Sequence, residues 1–308
     1  MTDLWVPISG VFWRTAPLFP DLGWSVDFGA LFTTIVGALA GAGIGAWAAG
    51  YISERNKFRE QLTKEIRDTN AAIVLALGVM NLGAGLKRQH VKALVEDYVE
   101  QRAKCHEEVA KMKAGGTQSE VPKINFLELQ EIAPPVIHLQ EIVLSRISTA
   151  GRALAAVTAL TDAVINLNCS LKRRNELIKQ FKKDDFPVGA RKEHFCFGLP
   201  YGDGVTNEEY GDSIKGISSY TNDVIFFSSE LCADLHEHAE LIVEQFRSRR
   251  LGGKTPNVNR IDLTEARKAG LIPSAEGYES WTSGFKKAPK EQKRRWRFWP
   301  HKQTPPGS

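Results

Sequence analysis

An uncharged apolar run near the N-terminus dominates the hydrophobic pattern of the chain. No charged residue occurs from Phe28 to Ile52, a run of 25 positions. As a helix it would extend about 37 Å, enough to cross a hydrocarbon core of about 30 Å with some tilt. The pattern predicts an uncleaved transmembrane helix over residues 28–52, preceded by a short extracytoplasmic segment, 1–27.

Basic residues flank this run asymmetrically. Arg14 is the only Lys or Arg before the run, whereas five follow it closely: Arg55, Lys57, Arg59, Lys64 and Arg67. Because cytoplasmic flanks of a membrane span carry the excess of basic residues, the N-terminus is expected outside and the remainder in the cytoplasm. The predicted location is the cell (inner or plasma) membrane, with a single pass.

The chain after the run has apolar residues at helical spacing and no sustained alternation typical of strands. This predicts an all-α protein in which residues 53–113 form a stalk and the first bundle helix, 114–122 a linker, and 123–250 a cytoplasmic bundle of long antiparallel helices. Pro134 and Pro135 should break a helix. A regular heptad, typical of a coiled coil, then places apolar residues at every seam position except Arg174; the eight are Val157, Leu160, Val164, Leu167, Leu171, Arg174, Ile178 and Phe181.

Such a seam needs a partner, and a helix from about Asn207 to Ser248 is the obvious candidate. Its apolar residues lie near one face: Tyr210, Ile214, Ile217, Val224, Leu231, Leu235, Ile242 and Phe246. The long connection 184–206 should pack Phe195, Phe197 and Tyr201 over the end of the bundle, although ordered loops of this length are often functional.

One alternative topology makes residues 71–86 a second membrane span. The segment has 16 residues and contains Asn81. It is short for a bilayer and of ordinary length for a buried helix, so the buried helix is preferred.

The transmembrane run contains a glycine zipper. Gly37, Gly41 and Gly45 recur at every fourth position, which makes one helix face nearly flat. Two flat faces can approach closely in lipid and gain van der Waals contact. The pattern predicts homo-oligomerisation, and the alternative is a face that only contacts lipid.

Charge is concentrated at the other end of the chain. Residues 251–308 are expected to form a flexible tail, within which residues 286–302 carry eight basic residues and Glu291, a net charge of +7 against +4 for the whole chain. Aromatic rings interleaved with these charges suit an anionic membrane surface. The predicted lipid-binding residues are Lys286, Lys287, Lys290, Lys293, Arg294, Arg295, Trp296, Arg297 and Trp299. Nucleic acid is the less favoured partner, and a solvated tail remains the simplest alternative.

No catalytic, cofactor or metal residue is predicted. Cys105, Cys169, Cys196 and Cys232 form no CxxC or other close pair, and a cytoplasmic location would keep them reduced. Gly253–Thr255 imitates the end of a phosphate-binding loop, but Ser248 stands where its first glycine is required. One helix face carries Cys232, His236 and Glu240, and a metal bound there would need further ligands from another helix. His238 should instead be a hydrogen-bonded core histidine.

Taken together, these patterns predict a membrane-tethered interaction or scaffold protein that self-associates through its glycine face. One alternative is an oligomerising effector that perturbs the membrane. A further alternative is an enzyme or metal-binding domain centred on residues 185–240.

Overall fold

The computed structural model describes residues 28–115, 122–149, 151–184, 186–249, 251 and 254–285. The chain is all-helical with long helices, and no strand occurs in these ranges. The chain divides after Phe58 into two compact units. Helix α1 (Phe28–Leu86) contributes residues to both units.

Seven further α-helices lie in the described residues of the second unit. A π-helical turn, Lys87–Val91, follows α1 a few residues after Gly83 and Gly85. The helices are α2 (Lys92–Lys113), α3 (Val136–Ser145), α4 (Arg152–Lys183), α5 (Lys192–Phe197), α6 (Glu209–Ser248), α7 (Thr264–Lys268) and α8 (Glu279–Ser283), with a 3₁₀ turn at Ala275–Tyr278.

The core is built on the pairing of α4 with α6. The two helices contact each other more extensively than any other described pair, and α3 packs on α4 while α2 and α5 pack on α6. All eight predicted seam residues of α4 are buried, and so are all eight apolar residues predicted for the face of α6. The seam therefore has its partner within the same chain.

Residues 71–86 of α1 are also part of this core. Ala72, Ile73, Ala76 and Val79 are buried in it. A Cβ at Gly83 would lie 3.1 Å from side-chain atoms of both Val224 and Ile225, so α1 and α6 approach closely there. This burial of one face is the packing of a core helix.

Length and apolar composition identify two described helical ranges long enough to cross a membrane, Gly41–Lys113 and Arg152–Lys183. Core helices of soluble bundles meet the same criterion. The second range is α4, whose apolar seam is buried against α6.

An extended segment, residues 122–135, runs along α4 and is called the strap below. Two asparagines of α4 pair with its backbone as a strand would. The Asn175 amide accepts from the Leu129 N–H at 3.1 Å and donates to the Leu129 carbonyl at 2.7 Å. Asn168 makes the same pair of bonds to Ile132, at 2.9 and 2.8 Å. The helix after the strap begins at Val136, directly after the predicted break at Pro134 and Pro135.

The segment from 254 to 285 differs from the predicted flexible tail. The side-chain amide of Asn70 donates to the Asn257 carbonyl at 2.8 Å and accepts from the Asn259 N–H at 2.9 Å. Lys87 donates to the Leu271 carbonyl at 3.1 Å, and the Tyr278 hydroxyl donates to Asp223 at 2.7 Å. These contacts fix the segment against α1 and α6.

Candidate functional site

The glycine face belongs to the first unit. Gly37, Gly41 and Gly45 are exposed on α1, and a Cβ at any of them would meet no other described atom within 4 Å. Gly43, on the opposite side of the same helix, is equally open. The described part of the chain thus leaves the predicted oligomerisation face uncovered. The predicted lipid-binding residues, 286–299, lie outside the described residues.

The α6 face that could share a metal with another helix, a site that the sequence does not favour, is only partly assembled. His236 Nε2 lies 3.4 Å from Glu240 Oε1, while its Nδ1 lies 3.1 Å from the Asn259 carbonyl. Cys232 is buried and its thiol points at the Ile73 carbonyl, 3.8 Å away. Within the described ranges, no group of three or more His, Cys, Asp or Glu side chains is arranged to hold a metal ion.

Three of the four cysteines are buried, and Cys169 is exposed. Burial raises the pKa of the Cys105 thiol to about 11 and that of Cys232 to about 12. Burial likewise raises the pKa of Cys196. A thiol that stays protonated at neutral pH is a poor nucleophile and a poor metal ligand, so these three side chains act as core residues.

A cleft with a volume of about 1100 Å³ lies in the second unit. Its walls come from the turn before α4, the C-terminal half of α6, and α8 with the residues after it. The charged and imidazole groups in the lining are Arg152, Asp234, Glu237, His238 and Glu279. The rest of the lining includes hydroxyl groups and three apolar side chains, from Ala153, Leu241 and Phe285.

An ion pair forms one wall of this cleft. The Arg152 guanidinium donates to both carboxylate oxygens of Asp234, with Nε at 3.0 and 2.9 Å, and lies 3.3 Å from Glu230. The hydrogen bonds to Asp234 raise the pKa of Arg152. The two-pronged geometry ties the first turn of α4 to α6.

A second polar cluster closes the neighbouring wall. Glu65 Oε1 accepts the Ser148 N–H at 2.8 Å and also the Ser148 hydroxyl, and His238 Nε2 lies 3.0 Å from the same oxygen. His238 is therefore hydrogen-bonded and mostly buried, as predicted. Although burial raises the pKa of Glu65, the bonds from Ser148 and His238 outweigh it and leave that pKa below its usual range.

This cluster does not have the geometry of a hydrolase triad. In a triad the histidine stands between the serine and the acid, so that the imidazole can take the hydroxyl proton. Here the carboxylate stands between Ser148 and His238, and the serine hydroxyl points at Glu65. The cluster joins the turn at 148 to α1 and α6, and it supplies no activated nucleophile.

Sequence patterns did not predict the cleft. Its residues come from three separate stretches of chain, and only the α6 stretch, CADLHEHAEL, contained a motif that stood out. The signal was weak because the carboxylates of α6 occupy ordinary surface positions of an amphipathic helix, and only the fold brings them opposite α8.

Comparisons of this chain with protein-family models, with curated proteins and with solved structures found no match.

Proposed function

We propose that this protein is a single-pass, membrane-anchored interaction or scaffold protein, self-associating through the glycine face of α1, with its helical unit on the cytoplasmic side. The observation that carries this proposal is the open space at Gly37, Gly41 and Gly45. A flat face of this kind, on a helix apolar enough to span a bilayer, has nothing in the described chain to pack against.

The physical reason for self-association is the lipid environment of the helix. In lipid no hydrophobic effect brings helices together, so association depends on close van der Waals contact. Glycines at every fourth position let two backbones approach closely. A second copy of the same face is the simplest complementary surface, since a two-fold pair uses one patch twice.

The basic tail supplies a second contact with the membrane in this proposal. Residues 286–302 carry a net charge of +7 and include Trp296 and Trp299. Each basic residue near an anionic leaflet contributes about 1 kcal/mol, and the rings settle at the interface. Because the same chain carries the span, the tail would act at high local concentration.

Gly41→Ile tests the self-association. The branched side chain should hold neighbouring helices apart, while the open space around Gly41 means that the single chain itself is not disturbed. Full-length protein labelled at the exposed Cys169 is reconstituted in vesicles, and energy transfer between copies is measured as protein is diluted into lipid. Gly41→Ile should need a several-fold higher protein-to-lipid ratio for the same transfer.

Gly43→Ile is the matched control, because it adds the same side chain to the same helix on the other side and also meets nothing within 4 Å. It should associate as the unmodified protein does. Equal association of all three proteins would place any oligomer contact elsewhere and reject the glycine face as the interface.

A further inference from the structure

The described segment that ends at Phe285 lies at the edge of the cleft. The Tyr278 ring stacks on Phe226, with centroids 3.6 Å apart and planes 5° from parallel. Trp281 packs against Phe227 with centroids 5.2 Å apart, and Phe285 packs on Trp281 at 5.1 Å. Phe285 itself lines the cleft. The last described residue before the basic tail therefore lies at the cleft wall.

The cleft that receives this end of the chain is negatively charged. Three carboxylates line it, from Asp234, Glu237 and Glu279, against one guanidinium, from Arg152, and these four side chains sum to a net charge of −2. Arg152 is also shared with Glu230 outside the lining. A concave surface of one sign with low-dielectric walls focuses its potential on whatever enters it.

The segment that follows Phe285 has the complementary charge. Lys286, Lys287 and Lys290 are its first basic residues, and three arginines follow between 294 and 297. Ten extended residues reach about 33 Å. The tail can therefore fold back into the cleft from its own starting point, and attachment at the wall gives it a high effective concentration there.

We propose that the cleft is the intramolecular docking site of the proximal basic tail, residues 286–295. The tail enters between α8 and α6, places its lysines opposite Glu237 and Glu279, and fills a cavity that the described chain leaves open.

This docking regulates the lipid contact, a consequence that rests on the proposed function. The same basic residues cannot neutralise carboxylates of the cleft and lipid head groups at once. The tail therefore divides between the two surfaces, and a rise in anionic lipid draws it out of the cleft.

Disulfide trapping in the full-length protein tests the docking. Cys169→Ser removes the exposed thiol, and the other three cysteines are buried. One new thiol is placed in the tail by Gln292→Cys and the other on the cleft wall by Leu241→Cys, a side chain that is 53% exposed. The protein is held in nanodiscs of neutral lipid, and the rate of intramolecular disulfide formation under a mild oxidant is measured.

The matched control moves the second thiol to Val99→Cys, which is 59% exposed on α2 and outside the cleft. Docking predicts that the Leu241 pair closes several-fold faster than the Val99 pair and that added salt removes the difference. Neutralising the cleft with Glu237→Gln and Glu279→Gln together should slow the Leu241 pair by roughly threefold to tenfold and leave the Val99 pair unchanged.

Equal rates of disulfide formation for the two pairs would overturn the docking. So would a Leu241 rate that changes neither with salt nor with the two glutamate substitutions. A second result would also overturn it: an added lysine-rich peptide binds the cleft while the Leu241 and Val99 pairs still close at equal rates. The occupant of the cleft would then come from another chain.

Anionic nanodiscs separate this proposal from the lipid proposal. Slower closure of the Leu241 pair on anionic discs supports both. If the Leu241 pair closes fast on both neutral and anionic discs, the result supports docking and counts against the lipid contact. A tail that lies on anionic lipid while the two pairs close equally supports the lipid contact and overturns the docking.

Discussion

Arg174 is the residue at which the heptad of α4 departs from apolar chemistry, and its surroundings explain why it is tolerated. Its side chain is only 1% exposed. The guanidinium donates to the carbonyls of Leu127 and Asn125 at 2.7 and 3.2 Å, and it lies 5.8 Å from the centre of the Tyr210 ring. A buried cation is costly unless hydrogen-bonded, and here the strap supplies acceptors for the two terminal nitrogens of the guanidinium.

Glu65 gives the stability of the fold a predictable pH dependence. Its lowered pKa means that, in mildly acidic solution, the folded state binds fewer protons than the unfolded state. The stabilisation from this carboxylate is therefore present above its unfolded pKa and is lost as pH falls through the lower folded pKa. Glu65→Gln should destabilise the protein at pH 6, and its difference from the unmodified protein should narrow as pH falls below 4.5, the ordinary pKa of a glutamate side chain.

Denaturant unfolding followed by circular dichroism at each pH measures this difference. Glu60→Gln, an exposed carboxylate in the same helix, serves as the control and should follow the unmodified protein at every pH. A difference for Glu65→Gln that stays constant from pH 6 to pH 3 would show that the carboxylate charge plays no part.

At the scale of elements, α4 makes contacts on two of its sides. One side carries the apolar seam against α6, and another presents Asn168 and Asn175 to the strap. The two asparagines are seven residues apart, about 10.5 Å along a helix, and their partners Ile132 and Leu129 are three residues apart, about 10 Å in extended chain. The match in repeat length lets a helix bind an extended segment through its backbone.

Asn175→Leu should therefore loosen the strap. It keeps a side chain of similar size but leaves the Leu129 N–H and carbonyl without their partner, at a cost of about 1–3 kcal/mol of unfolding free energy. Hydrogen exchange should show reduced protection of the Leu129 amide, while the Ile132 amide, bonded to Asn168, changes less.

Gln180→Leu makes the same chemical change at an exposed position of α4 and should shift stability by less than about 0.5 kcal/mol. Loss of stability equal to that of Asn175→Leu would show that the cost comes from helix chemistry, not from the strap.

These elements also show how far sequence alone reaches. The buried seam of α4, the buried face of α6 and the helix start after Pro135 follow from local periodicity and proline geometry. The strap and the segment 254–285 do not. They are fixed by side chains acting on backbone groups 36 to 189 positions away in the sequence, and nothing in their own residues repeats. The cleft depends on the same long-range placement, so its carboxylates could not be grouped in advance.

At the scale of the whole molecule, the first expectation concerns membrane topology. One basic residue precedes the proposed span and five follow it closely, so the C-terminal side is expected in the cytoplasm. A reporter active only in the cytoplasm, fused after Ser308, should be active, and one that needs the outer compartment should be silent. The reverse pattern would mean an inverted span or a second crossing.

The last prediction concerns the surface that the tail binds. In the full-length protein, with Cys169→Ser and a fluorophore on Gln303→Cys, energy transfer to labelled head groups reports how close the tail lies to the bilayer. Transfer should be high in nanodiscs with anionic lipid and low in neutral ones, and it should fall as salt rises because charge attraction is screened.

Charge and aromatic insertion separate in this assay. Changing Arg294, Arg295 and Arg297 to Ala should remove roughly 3 kcal/mol of attraction, at about 1 kcal/mol per charge, and flatten the salt dependence. Changing Trp296 and Trp299 to Ala should weaken the contact with little change in its salt dependence, because the rings act through burial at the interface. A tail made for nucleic acid would behave differently: single-stranded oligonucleotide at physiological salt would strip it from anionic discs, since base stacking on the same tryptophans would add to phosphate contact.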